Sequence, residues 1–131
     1  MPAITLTIEG DRIRDIASFY DEINRVFMVG EDWTLGASLD ALDDLLYGGY
    51  GALLGSDRAI LIWRNMEASR QALGRDATRA HYLGKLEQPS TYETARIRRD
   101  LEALENGAGP TYFEIILQII ADHPSITLRG M

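Results

Sequence analysis

Cysteine is absent from the 131 residues of this chain. That excludes disulfides, thiolate catalysis and cysteine-based zinc or iron–sulfur sites, and it suits a reducing cytoplasm. Positive charge is scarce: 13 Lys and Arg stand against 20 Asp and Glu, for a formal charge of −7. Such a surface repels phosphate backbones, so direct binding of nucleic acid is disfavoured and a cationic partner is expected. No apolar run approaches the roughly 18 residues of a membrane helix, and the N-terminal MPAITLTIEGDR lacks the basic start and apolar stretch of a signal peptide. Internal repeats and low-complexity tracts are also missing. What is present is 46% hydrophobic and 25% charged residues, the balance of a soluble protein with one core.

Ile4-Thr5-Leu6-Thr7-Ile8 alternates strictly and predicts a strand, with a turn at Glu9-Gly10-Asp11. Ile16, Phe19, Tyr20, Ile23 and Val26-Phe27 then recur at helical spacing, predicting a helix that starts near Asp15 or Ala17. After a loop from Met28 to Ala37, Ser38 is a suitable N-cap for a second helix running to about Tyr47, closed by Gly48-Gly49. The unbroken run Ala59–Trp63 predicts a central strand buried on both faces. A third helix covers about Met66 to Leu73 and stops at Gly74. Pro110 is placed in the first turn of an apolar helix that ends before His123-Pro124, and Ile126–Leu128 forms the last strand. Strands separated by helices imply parallel pairing, hence an α/β fold with a small three-stranded parallel sheet packed with helices. Residues 75–109 differ in kind: two charge-balanced helical patterns, about 77–87 and 92–105, with Ser90 or Thr91 available to cap the second. They read as a helical insertion in a single domain whose core is about 1–74 and 110–131.

The segment from Val26 to Asp57 contains no Lys or Arg, yet it carries Glu31, Asp32, Asp40, Asp43, Asp44 and Asp57. At about 100° per residue, Leu39, Leu42, Leu45 and Leu46 share one side of the second helix, while Asp40, Asp43, Asp44 and Tyr47 share the other. Acids one turn apart repel by a few tenths of a kcal/mol, and a cationic partner would relieve that repulsion and be steered by it. A solvated helix face is the plain alternative. A carboxylate pair for acid–base work or Mg²⁺ is another, opposed by a convex face and by the lack of an adjacent histidine, serine-nucleophile motif or phosphate loop. Trp33 and Tyr50 flank the helix, either as buried anchors or as interface aromatics. Trp63 belongs to the core. His81 and His123 lack an orienting partner in sequence, and His123 suits a helix C-terminus.

The string Gly36-Ala37-Ser38-Leu39-Asp40-Ala41-Leu42-Asp43-Asp44-Leu45-Leu46-Tyr47-Gly48 resembles the recognition helix of the barstar family, intracellular protein inhibitors of ribonucleases. The I-x-G-x-x-I pattern from Ile8 to Ile13, the strand into Trp63-Arg64 with the following Met66-Glu67-Ala68-Ser69, and the final Ile126-Thr127-Leu128 extend it over about 4–73 and 110–129. The resemblance implies a non-enzymatic domain, without metal or cofactor, that plugs the active site of a basic ribonuclease. Asp40 and Asp44 match the two aspartates that meet the phosphate-binding cations. Asp43, Tyr47, Trp33 and Gly36 are implied as contact or loop-shaping positions, and Glu31 and Asp32 as steering charges on the rim. The family's paired tyrosines are here Thr34-Leu35, its aromatic between the aspartates is Asp43, and its following threonine is Tyr47, so the target need not be barnase itself. An immunity protein against a ribonuclease toxin is the leading functional expectation, and an acidic adaptor for another basic protein is the alternative.

Overall fold

The computed structural model describes residues 3–87 and 93–131. Along the chain run β1 (Ala3–Glu9), α1 (Ile16–Phe27), α2 (Leu39–Leu45), β2 (Arg58–Arg64), α3 (Met66–Ala72), α4 (Arg75–Leu86), α5 (Thr94–Glu105), α6 (Tyr112–Ala121) and β3 (Ile126–Gly130), with short 3₁₀ turns at Gly10–Arg12 and Gly51–Leu53. The sheet order is β1-β2-β3 and both pairings are parallel, as the alternation of strands and helices implies.

Register decides which side chains enter the core. Ile4, Ala59 and Ile126 form one row, Leu6, Leu61 and Leu128 the next, and Ile8, Trp63 and Gly130 the third. These rows face the helices. The opposite rows, Thr5-Ile60-Thr127 and Thr7-Ile62-Arg129, form an open face on which Ile60 and Ile62 stay partly exposed. The expectation that β2 is buried on both faces is therefore wrong: its continuous apolar run hides a one-sided burial pattern, with only Ala59, Leu61 and Trp63 fully covered. Gly10, in the I-x-G-x-x-I pattern, lies against the end of β2. A Cβ there would come within 2.3 Å of the Arg64 carbonyl oxygen, which explains the glycine sterically.

The helices begin where their caps dictate. Asp15 opens α1 by a reciprocal capping box with Ser18, turning Phe19, Tyr20, Ile23, Val26 and Phe27 inward. Phe19 and Phe113 flank Trp63 at ring distances of 6.1 and 5.5 Å, and the buried Trp63 Nε1 donates to Ser69 Oγ at 2.9 Å. At α6 the capping box is made by Thr111 and Glu114, so Pro110 precedes the cap and does not sit in the first turn. The reason is the box itself, which needs an N–H from the capping residue that proline lacks. The α4–α5 pair is joined to the core through buried Thr78, which accepts the Tyr112 N–H at 2.7 Å and donates to the Gly74 carbonyl at 2.7 Å. The Ser90 and Thr91 cap positions lie outside the described residues; the described part of α5 follows Glu93, which makes no side-chain cap bond.

Glu22 is a buried charge, only 2% exposed. It accepts the Glu9 N–H at 2.8 Å and the Arg25 Nε at 2.7 Å. Burial by itself raises its pKa, but the Arg25 and Glu9 hydrogen bonds and the charges of Arg25 and Arg12 outweigh that, leaving it below its usual 4.5. A depressed folded pKa contributes stability that is present above the unfolded value and lost as pH falls through the folded one. The expected result is a steeper loss of melting temperature between about pH 5 and pH 3 for the wild type than for Glu22→Gln. Parallel pH profiles would contradict it.

Candidate functional site

Ser38 starts α2 by accepting the Ala41 N–H at 3.1 Å. Leu42, Leu45 and Leu46 are buried and Leu39 is partly so, which anchors the helix against the core and turns Asp40, Asp44 and Tyr47 outward, Tyr47 with 74% of its surface exposed. The helical part ends at Leu45, slightly short of the expected Tyr47, and Gly48 turns the chain with φ of +84°.

Each carboxylate of the helix meets a different neighbour. Asp44 Oδ2 accepts the Tyr50 hydroxyl at 2.9 Å. Burial, then the hydrogen bond to Asp44 and the Asp44 charge, push the Tyr50 pKa up to about 12, so it keeps the proton it donates. Trp33 packs on Tyr50 at a ring distance of 4.9 Å while remaining 43% exposed, which makes it a surface aromatic and no buried anchor. Asp43 Oδ1 lies 2.7 Å from Nε2 of His123, a residue only 5% exposed and placed just beyond α6. The Tyr47 ring meets the same imidazole edge-on at 4.6 Å. His123 is thus a buried tie between α6 and α2 as well as a residue at a helix end. Asp40 borders a notch of about 180 Å³ shared with His81, Lys85 and Arg96. Among the described residues, no three His, Asp or Glu side chains form a metal-binding cluster.

The loop before α2 is braced from behind. Asn24 Oδ1 accepts the Leu35 N–H at 2.6 Å, and its amide donates to the Tyr20 carbonyl at 2.9 Å. Glu31, expected on the rim, is partly buried and accepts the Gly51 N–H at 2.8 Å. Asp32 is exposed. Gly36 is exposed too, with nothing within 4 Å of a Cβ built there, so the fold leaves open space at that point. Gly51 is the opposite case: its φ is +72° and a Cβ would lie 2.5 Å from the Phe27 carbonyl oxygen. Gly51→Ala should cost about 1–3 kcal/mol of stability by urea unfolding. A cost below about 0.5 kcal/mol, the level of an ordinary surface change, would contradict the packing described.

Asn24, Tyr50 and His123 are the site-supporting residues that local patterns did not single out for these roles. The aromatic Tyr50 beside the acids was the one visible signal. The sequence of β1 through α4, residues 3–86, matches the family model described as Barstar (barnase inhibitor), a span that contains Asp40, Asp43, Asp44 and Tyr47 but not His123. The chain belongs to the barstar family. No curated protein matches it. The matched span includes α4 and stops before α5, so α2 and its braced loop lie well inside it. No helix among the described residues is long and apolar enough to cross a membrane.

Proposed function

We propose that this protein inhibits a basic ribonuclease by placing α2 in the cleft where the enzyme binds RNA phosphates. The observation that carries the reading is the pair Asp40 and Asp44, one turn apart and exposed on a helix whose other side is locked into the core. Carboxylates so held can occupy the places of two phosphates and take charge-assisted hydrogen bonds from Arg, Lys or His of the enzyme. Their geometry is set before binding: Tyr50 orients Asp44, and Ser38 fixes the first turn that carries Asp40. Little ordering is then left to oppose association.

The other residues divide by what they touch. Trp33 and Tyr47 offer exposed aromatic surface on either side of the acids, and Gly36 leaves room for the enzyme to approach the loop. Asp32 adds long-range attraction. Asp43 and Glu31 act through the scaffold, by way of His123 and Gly51. The protein needs no metal or cofactor in this role and turns over no substrate. Its biological form is an immunity protein in the cytoplasm, guarding its host against a cognate ribonuclease toxin.

The test is to titrate the protein into a panel of small basic ribonucleases, including barnase and any nuclease encoded beside it, while following RNA cleavage at low and physiological salt. Stoichiometric inhibition of one enzyme, lost in the Asp40→Ala/Asp44→Ala double variant, is the expected result. No inhibition across the panel would overturn the ribonuclease reading and direct the acidic helix to another basic protein.

A further inference from the structure

The notch beside Asp40 brings together parts of the molecule that are distant in sequence. One wall is the start of α2 with Ser38 and Asp40; the other is supplied by His81 and Lys85 of α4 and Arg96 of α5, with Tyr112 of α6 between them. The segment from Val26 to Asp57 has no cation of its own, so these two charges come to the acidic face from outside it. They are available: Lys85 is exposed and makes no ion pair among the described residues, and Arg96 stands 3.8 Å from Glu93 with 63% of its side chain exposed. His81 contributes little positive charge. Its ring is packed edge-on against Tyr112 at 5.2 Å, and burial, with the Lys85 charge, lowers its pKa.

An enzyme surface that meets Asp40 with a cation must therefore also meet Lys85 and Arg96. A second cation at that point would be repelled, whereas a carboxylate would be held by both. Ribonuclease active sites supply such neighbours by their chemistry, since cleavage of RNA by proton transfer uses a base, often a carboxylate, beside the groups that bind phosphate. We propose that the notch between α2 and the α4–α5 pair is the specificity-determining part of the inhibitory face, in which Lys85 and Arg96 receive a carboxylate of the target ribonuclease next to the cation bound by Asp40. This rests on the reading of α2 as the ribonuclease-binding face. The consequence is a bipolar footprint: the target carries negative charge on one border of its basic cleft, and enzymes that are basic on that border are rejected.

The experiment uses the full chain and the ribonuclease that the wild type inhibits in the titration above. Lys85→Glu/Arg96→Glu should slow association by about tenfold at low salt. The deficit should shrink as salt screens it, and Lys substitution of the facing carboxylate on the enzyme should restore binding. Circular dichroism checks folding, and Lys85→Ala/Arg96→Ala, with a smaller loss expected, replaces the reversal if that variant misfolds. Unchanged or faster association by both variants, with inhibition still lost in the Asp40→Ala/Asp44→Ala double variant, would overturn this inference alone. If the wild type inhibits no ribonuclease, the inference falls with the reading on which it rests.

Discussion

Asp44→Ala should weaken the complex with the target ribonuclease by more than about 2 kcal/mol, the threshold of an interface hot spot, while leaving the fold intact. The magnitude is the general one for charged hot-spot residues, of which those of barstar are an example. The direction follows from the structure. Asp44 is exposed, and its loss removes one hydrogen bond to Tyr50 together with a repulsion from Asp40. Those two effects are each about 1 kcal/mol or less and opposite in sign, so folding stability should change little. In the complex the same substitution strands the enzyme's cations in a desolvated cleft without their counter-charge. Asp44→Asn keeps an acceptor for Tyr50 but removes the charge, and it should lose nearly as much affinity as Asp44→Ala. Tyr50→Phe keeps the charge but frees its orientation, and its loss should be smaller. Titration calorimetry of the three variants against one enzyme measures the series; an Asn variant that binds like wild type would show that charge is not the operative property.

Trp63→Ala should cost about 3–5 kcal/mol of unfolding free energy, the range for truncating a large aromatic in a packed core. Trp63 is 0% exposed on the central strand, between Phe19 and Phe113, and its indole N–H is satisfied by Ser69. Truncation opens a cavity at the meeting point of β2, α1, α3 and α6. Trp63→Phe retains most of the volume and should cost roughly 1–3 kcal/mol, through the lost ring area and the weakened hydrogen bonding of Ser69. Urea unfolding gives both numbers. A cost below about 1.5 kcal/mol for the alanine variant would show a core that collapses around the vacancy and is not rigidly packed.

The three strands, α1, α2 and their caps were legible because each is specified within a few residues. Ile4-Leu6-Ile8 alternates, Asp15 and Ser38 stand where N-caps are needed, and Leu42, Leu45 and Leu46 share a helical face that the structure buries. What lay opposite those faces was not legible. Asp43 reads as a contact acid from its closeness around the helix to Asp40 and Asp44, and it stays 46% exposed; its bond to His123, 80 positions away, has no local signal. Glu31 looked like a rim charge because nothing local reveals that Gly51 will turn its N–H toward it. The run Ala59–Trp63 reads as apolar throughout, and hydropathy alone cannot show that Ile60 and Ile62 face an uncovered side of the sheet. The notch beside Asp40 is out of reach for the same reason: the segment reads as two charge-balanced helical patterns, and nothing local shows that α4 and α5 come to lie beside α2. Period tells which residues share a face; only tertiary packing tells what that face meets.

The central claim is that α2 occupies the phosphate-binding cleft, and the kinetic mode of inhibition tests it most directly. Initial rates of RNA cleavage by the inhibited ribonuclease, measured over a range of substrate and inhibitor concentrations, should show one-to-one inhibition that RNA relieves competitively: a raised apparent KM with kcat unchanged. Inhibition that excess RNA fails to relieve, with kcat lowered and KM constant once slow dissociation of the complex is allowed for, would contradict the account by placing the protein away from the cleft.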